Sequence, residues 1–144
     1  MCGIVCAFDL KQPSDSLRSE ILEMSKKIRH RGPDWSGIYS SDNAIMSHER
    51  LAIVDPKSGR QPLFSYDNKL VLAANGEIYN HKELRIFLEK KGIKFHTDHS
   101  DTEVLLNGIS HLGNDFINKI VGQFSIVFFD EKKQLFTTPY RQFT

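Results

Sequence analysis

Ser36-Gly37-Ile38-Tyr39-Ser40-Ser41, then Asp42-Asn43, then Ala44-Ile45-Met46-Ser47-His48-Glu49-Arg50-Leu51-Ala52-Ile53-Val54 is the stretch that decides the fold class. Two short runs of strand-forming residues flank a pair of turn formers, which is the pattern of an antiparallel hairpin. Moving outward, residues 63–66 and 70–75 flank Asp67-Asn68 in the same way. Residues 2–10 read as a buried first strand that breaks at Gln12-Pro13, and Phe124 to Phe129 reads as a late strand.

Three helices fit between these groups. The first follows a cap at Asp15 or Ser16, carries Leu17, Ile21, Leu22 and Ile28 at helical spacing, and stops at Gly32-Pro33. The second runs from about His81 to Lys91 with Leu84, Phe87 and Leu88 inward and ends at Gly92. The third follows Ser100, presents Val104, Leu105, Ile109 and Leu112, and ends at Gly113. Tight-turn strands separated by a few amphipathic helices predict an α+β layered domain, not a doubly wound parallel sheet. There is no internal repeat, low-complexity tract or linker.

The 144 residues include 19 Lys and Arg against 18 Asp and Glu, a net charge of +1, so no broad basic surface is available for nucleic acid. No apolar run approaches the roughly 20 residues that a bilayer span needs. Only Cys2 and Cys6 are present, too few for a disulfide framework, and reduced thiols in a cytoplasmic setting are expected.

Several residues can carry chemistry, each beside a plainer role. If Met1 is removed, Cys2 holds a thiol and a free α-amine on one residue; such an amine titrates at about 8, so a usable fraction is unprotonated near neutrality. The plainer role is a small buried cysteine. Asn75-Gly76 is the strongest short turn signal, yet an Asn amide beside a Gly N–H also makes an oxyanion hole. Ser100 and Glu103 fit a capping box, within which Asp101 has its carboxylate free for a ligand ammonium. Arg50 is either a surface arginine covering a strand end or the partner of a ligand carboxylate. His96 and His99, with Asp98 and Asp101, lack a third ligand at a recognisable metal spacing, and no metal is expected. Nor is there a Gly-rich phosphate loop.

These segments fall in one order: Met1-Cys2-Gly3-Ile4, His30-Arg31-Gly32-Pro33-Asp34, His48 through Asp55, Gln61-Pro62-Leu63, Asn75-Gly76-Glu77-Ile78-Tyr79-Asn80, Ser100-Asp101-Thr102-Glu103 and Gly122-Gln123-Phe124. From residue 2 to about residue 136 the chain resembles the glutaminase domain of class II glutamine amidotransferases, and within them the glutamine-hydrolysing asparagine synthetases of the B type. The resemblance implies an N-terminal nucleophile hydrolase fold, a four-layer αββα sandwich of two antiparallel sheets. It also implies roles. Cys2 attacks the glutamine carboxamide to form a γ-glutamyl thioester and ammonia, Asn75 and Gly76 hold the oxyanion, Arg50 binds the α-carboxylate and Asp101 the α-ammonium. The backbone of Leu51, Ile53 and Val54, with Glu77, lines the pocket. Thr102 and Gln123 differ from the residues expected of the family, and neither has an implied role.

Residues 137–144 match nothing in the family pattern, and the synthetase domain that would use ATP, magnesium and aspartate has no counterpart in the sequence. A truncated, C-terminally incomplete glutaminase domain is therefore the expectation, with sandwich edges left unpaired and no cofactor of its own. The expected ligand is glutamine, and a synthetase partner or a second copy of the chain is the expected macromolecular one. The alternative is a silent scaffold that binds glutamine or a partner without turnover.

Overall fold

The computed structural model describes residues 1–52, 59–97, 100–133, 135–137 and 140–141. Strand β1 (Gly3–Phe8) leads through helix α1 (Ser14–Ile28) and a 3-10 turn at Arg29–Arg31 to the hairpin β2 (Trp35–Ser40) and β3 (Ala44–Arg50). These three strands form the first sheet, ordered β1-β3-β2 and antiparallel throughout. The second sheet starts with β4 (Leu63–Phe64) and β5 (Leu70–Ile78). After helices α2 (His81–Glu89) and α3 (Asp101–Leu112) and a 3-10 segment (Gly113–Lys119), it is completed by β6 (Gly122–Asp130), β7 (Leu135–Thr137) and β8 (Tyr140–Arg141). Its order is β4-β5-β6-β7, with β8 also on β6.

Strand periodicity of two sorts the residues into layers. From the first sheet, Ile4, Cys6, Phe8, Tyr39 and Met46 face Val71, Ala73, Val127 and Phe129 of the second, so the two sheets pack face to face. Val5, Ile45 and Ile21 fill the opposite face of the first sheet, under α1. Leu72, Ala74, Ile78, Phe124, Ile126 and Phe128 turn to α2 and α3, where they meet Leu84, Leu88, Val104, Leu105, Ile109 and Phe116. The sequence of layers is helix, sheet, sheet, helix, and the αββα expectation holds.

Local readings differ in several places. Helix α1 begins at Ser14 with Pro13 at its cap position, so Asp15 and Ser16 lie inside its first turn. Leu22 is exposed and Ser25 buried on α1, because Ile21, Ser25 and Ile28 share one helical face and Leu22 stands a residue round from it. Asn75-Gly76 is not a turn: β5 continues through it to Ile78, with Gly76 opposite Phe124 in β6. The residue has φ +151°, and a Cβ there would run into Gln123 O and lie 2.5 Å from Phe124 Cα, so glycine allows the two strands to close up. Finally, residues 135–137 and 140–141, at and beyond the expected limit of the family pattern, pair with β6 and cover its far edge.

Candidate active site

The site forms at the end of the sandwich where β1 begins and β3 and β5 end. Cys2 stands just ahead of Gly3, which pairs with Glu49. Its backbone carbonyl accepts a bond from Arg31 Nε at 3.1 Å. The Leu51 N–H donates to Cys2 Sγ at 3.3 Å, and the thiol is 3.8 Å from Leu51 O. Gly32 lets Arg31 come this close: a Cβ at Gly32 would collide with the backbone of Glu49 and Arg50. The same approach is fastened by Asp34 N–H to Arg50 O at 3.1 Å and by Ala52 N–H to Asp34 Oδ2 at 2.8 Å. The His30 to Asp34 segment thus fixes the thiol by bonding the backbone on either side of it.

Opposite lies the outer edge of β5. β4 is two residues long and pairs only with Val71 and Leu72. Beyond it, Ala74 gives its N–H to Gln61 Oε1 at 2.7 Å and receives His48 Nε2 on its carbonyl at 2.9 Å. In an extended strand alternate residues point their N–H to the same side. Gly76, two residues on, therefore aims its N–H at this edge, and Ile78 gives its own to the Asp101 carboxylate. Asn75 lies between, with its Oδ1 buried and lacking a partner among the described residues.

Asp101 opens α3, where Ser100 caps the helix by accepting Glu103 N–H at 3.2 Å. The capping box is only half made. Glu103 turns instead to the preceding loop and accepts from His96 N–H at 2.6 Å and from Thr97 N–H and Oγ1 at 2.9 and 2.5 Å. Burial pushes the Asp101 carboxyl above its ordinary range, opposed by the N–H bonds of Ile78 and Thr102 and by His81. Burial holds His48, between the sheets, below the ordinary histidine value, with Arg50 adding to the effect and the Ala74 carbonyl opposing it.

A cavity of about 210 Å³ joins these parts: Met1, Cys2, Arg50, Leu51, Asn75, Gly76, Glu77 and Asp101 all line it, together with Gly59, Gln61, Ala74, Tyr79, Ser100, Thr102 and Gln123. The sequence-predicted residues within the described part of the chain thus meet in one place. Ile53 and Val54 lie outside the described residues, as do Asp98 and His99 of the His96 cluster. Thr102 and Gln123, given no role from sequence, are part of the wall. Arg31, His48 and Gln61 were missed as site residues; the motifs that contain them were the available signal.

The cavity gathers an edge N–H, an Asn side chain, a thiol, a guanidinium and a half-buried carboxylate. A family model described as a glutamine amidotransferase domain matches residues 1–139, and the chain belongs to that family. It is 46% identical to the glutamine-hydrolyzing asparagine synthetase B of Escherichia coli (strain K12) over 136 residues, covering 94% of this chain and 24% of that protein. It is 45% identical to the glutamine-hydrolyzing asparagine synthetase 1 of Arabidopsis thaliana, over 94% of this chain and 23% of the relative. The chain thus spans about a quarter of the length of these relatives. Among solved structures, the glutamine phosphoribosylpyrophosphate amidotransferase of B. subtilis superposes with a TM-score of 0.51 at 30% identity, covering 64% of this chain and 22% of that one.

Proposed function

We propose that this chain carries a glutaminase centre in which Cys2, freed of Met1, hydrolyses glutamine to glutamate and ammonia. The thiol sulfur attacks the side-chain carboxamide carbon, and the Cys2 α-amine takes the thiol proton and passes it to the departing nitrogen. Ammonia leaves and a γ-glutamyl thioester remains. Water then adds to the thioester, releasing glutamate and restoring the thiol.

Negative charge on the tetrahedral oxygen is met by the Gly76 N–H and the Asn75 amide, each contributing on the order of 3 kcal/mol. Arg50 takes the substrate carboxylate through its planar guanidinium and Asp101 takes the ammonium. Leu51 and Glu77 line the pocket in this reading.

The observation that carries the proposal is the convergence of Cys2, Arg50, Asn75, Gly76 and Asp101, from four separated segments, on one cavity of amino-acid size. The hydrolysis calls for no metal or cofactor. The E. coli and Arabidopsis relatives are named as glutamine-hydrolyzing asparagine synthetases. We extend to this chain the delivery of ammonia to an ATP-dependent, magnesium-using synthetase unit acting on aspartate, and a cytoplasmic setting that keeps the thiol reduced.

Cys2→Ala tests the centre. Ammonia release falls to background, while the unfolding transition stays within about 1 kcal/mol of the parent and calorimetry still registers glutamine. Ammonia release by the variant at the parental rate refutes the nucleophile.

A further inference from the structure

The outer edge of β5 poses a problem of backbone pairing, and its solution singles out two side chains. Past Leu72 the edge has no neighbouring strand among the described residues, yet Ala74 is buried and its N–H and C=O both need partners. One is the Gln61 side chain, reaching from the segment before β4. The other is His48, which crosses from the first sheet to the second. His48 has no measurable exposure, and because a carbonyl can only accept, its Nε2 must carry the proton. Its Nδ1 is left buried and without a partner among the described residues. A buried imidazole with one unmet nitrogen is costly, and apolar packing alone would be served better by a leucine. Its one bond holds the carbonyl of the peptide that links Ala74 to Asn75.

We infer that His48 and Gln61 form a clamp on Ala74 that aims the Asn75 amide and the Gly76 N–H at the reacting carbonyl. They act as positioning residues in place of a missing strand. Gln61 lines the cavity at the level of Ala74, and neither side chain takes part in the bond changes proposed above. The inference rests on the glutaminase reading for its catalytic consequence, though the clamp itself is a statement about the free protein.

The clamp fixes direction along the strand. The Ala74 carbonyl and the Gly76 N–H point to the same side, one on each flank of Asn75. A rotation of the Ala74 to Asn75 peptide plane would swing both oxyanion donors while leaving Arg50 and Asp101, which sit on β3 and α3, in place. Loss of the clamp should therefore reduce turnover and spare substrate affinity. A merely structural histidine would lower both, or neither.

The test uses the whole chain with two readouts. In amide NMR of the substrate-free protein, His48→Leu and Gln61→Leu each shift the Asn75 and Gly76 N–H resonances, while His48→Gln, whose amide nitrogen can reach as Nε2 does, leaves them near the parental positions. In glutamine hydrolysis, His48→Leu and Gln61→Leu lower kcat about 30- to 100-fold with KM within about twofold, and His48→Gln recovers most of the loss. Folded Leu variants with parental Asn75 and Gly76 resonances, or with parental kcat, overturn the clamp. So does a His48→Leu loss that His48→Gln fails to repair. Should His48→Leu not fold, Gln61→Leu decides by the same criteria. A parent chain that lacks glutaminase activity after Met1 removal counts against the functional reading instead, and the resonances alone then decide the clamp.

Discussion

The two helical layers cover their sheets by opposite means. Under α2 and α3 the contact is almost wholly apolar, from Leu84 and Leu88 through Val104 and Leu105 to Phe116, Ile120 and Ile126. Under α1, beside the short apolar patch of Val5, Ile21 and Ile45, lies a polar knot centred on the buried Ser25, Ser47 and Glu49 and reaching the surface at Ser36 and Arg29. Ser25 Oγ donates to Glu49 Oε1 at 2.5 Å, Ser36 Oγ to Glu49 Oε2 at 2.6 Å and Ser47 Oγ to Ser25 Oγ at 3.0 Å, while Arg29 Nη1 donates to Ser36 Oγ at 2.8 Å. Apolar burial is strong but indifferent to direction; bonded polar groups add little net energy but fix geometry. The directional layer is the one from which Arg29, Arg31 and Gly32 lead to Cys2. Stability is concentrated on one side of the sandwich and the alignment of the nucleophile on the other.

Deleting the largest buried ring on the apolar side should have the largest effect. Phe116 is fully buried against Gly108, and Phe116→Ala should cost about 3–5 kcal/mol in urea unfolding. In the fraction that remains folded, ammonia release per molecule should be near the parental value; a selective loss of activity would merge the two layers into one.

Glu49→Gln sharpens the other half of the comparison. It keeps the size but removes the acceptor for one serine hydroxyl, and about 1–3 kcal/mol of stability should go with it. Labelling of Cys2 by a diazo-ketone glutamine analogue should slow in the folded variant, since the knot braces the segment that holds the Cys2 carbonyl. Unchanged labelling would separate the knot from the site.

The smallest effect is a pH dependence. Burial holds His48 below its ordinary value of 6.5, so the unfolded chain binds its proton more readily than the folded one. The stability contributed by keeping His48 neutral is complete above about pH 6.5. It declines as pH falls below that value toward the lower folded pKa. Unfolding midpoints should fall across that range and fall less in His48→Gln; identical slopes would remove His48 as the cause.

Where the fold was legible, local chemistry and tertiary demand agreed. Asp42-Asn43 between two strand-forming runs does join β2 to β3, and Gly92 and Gly113, at φ +82° and +70°, do follow helix ends. Of the two readings of Asn75-Gly76, the turn rests on a local signal and does not hold, because what places glycine there is the close pass of Gln123 and Phe124, nearly fifty residues away in sequence. Glu103 misled in the same way, its carboxylate going to residues 96 and 97 in preference to the helix start.

At the site, groups that would meet a ligand themselves were visible from their chemistry and from the family pattern. Arg31, His48 and Gln61 were not, since each acts through the backbone of a residue distant in sequence and carries no sign of its target.

The most direct test is an intact-mass measurement of the purified chain before and after exposure to a diazo-ketone glutamine analogue, with the modified peptide sequenced. The account predicts a chain that has lost Met1 and gains one adduct, on Cys2, with protection by excess glutamine. A folded chain beginning at Cys2 that stays unmodified, or one that takes the adduct on Cys6, would contradict it.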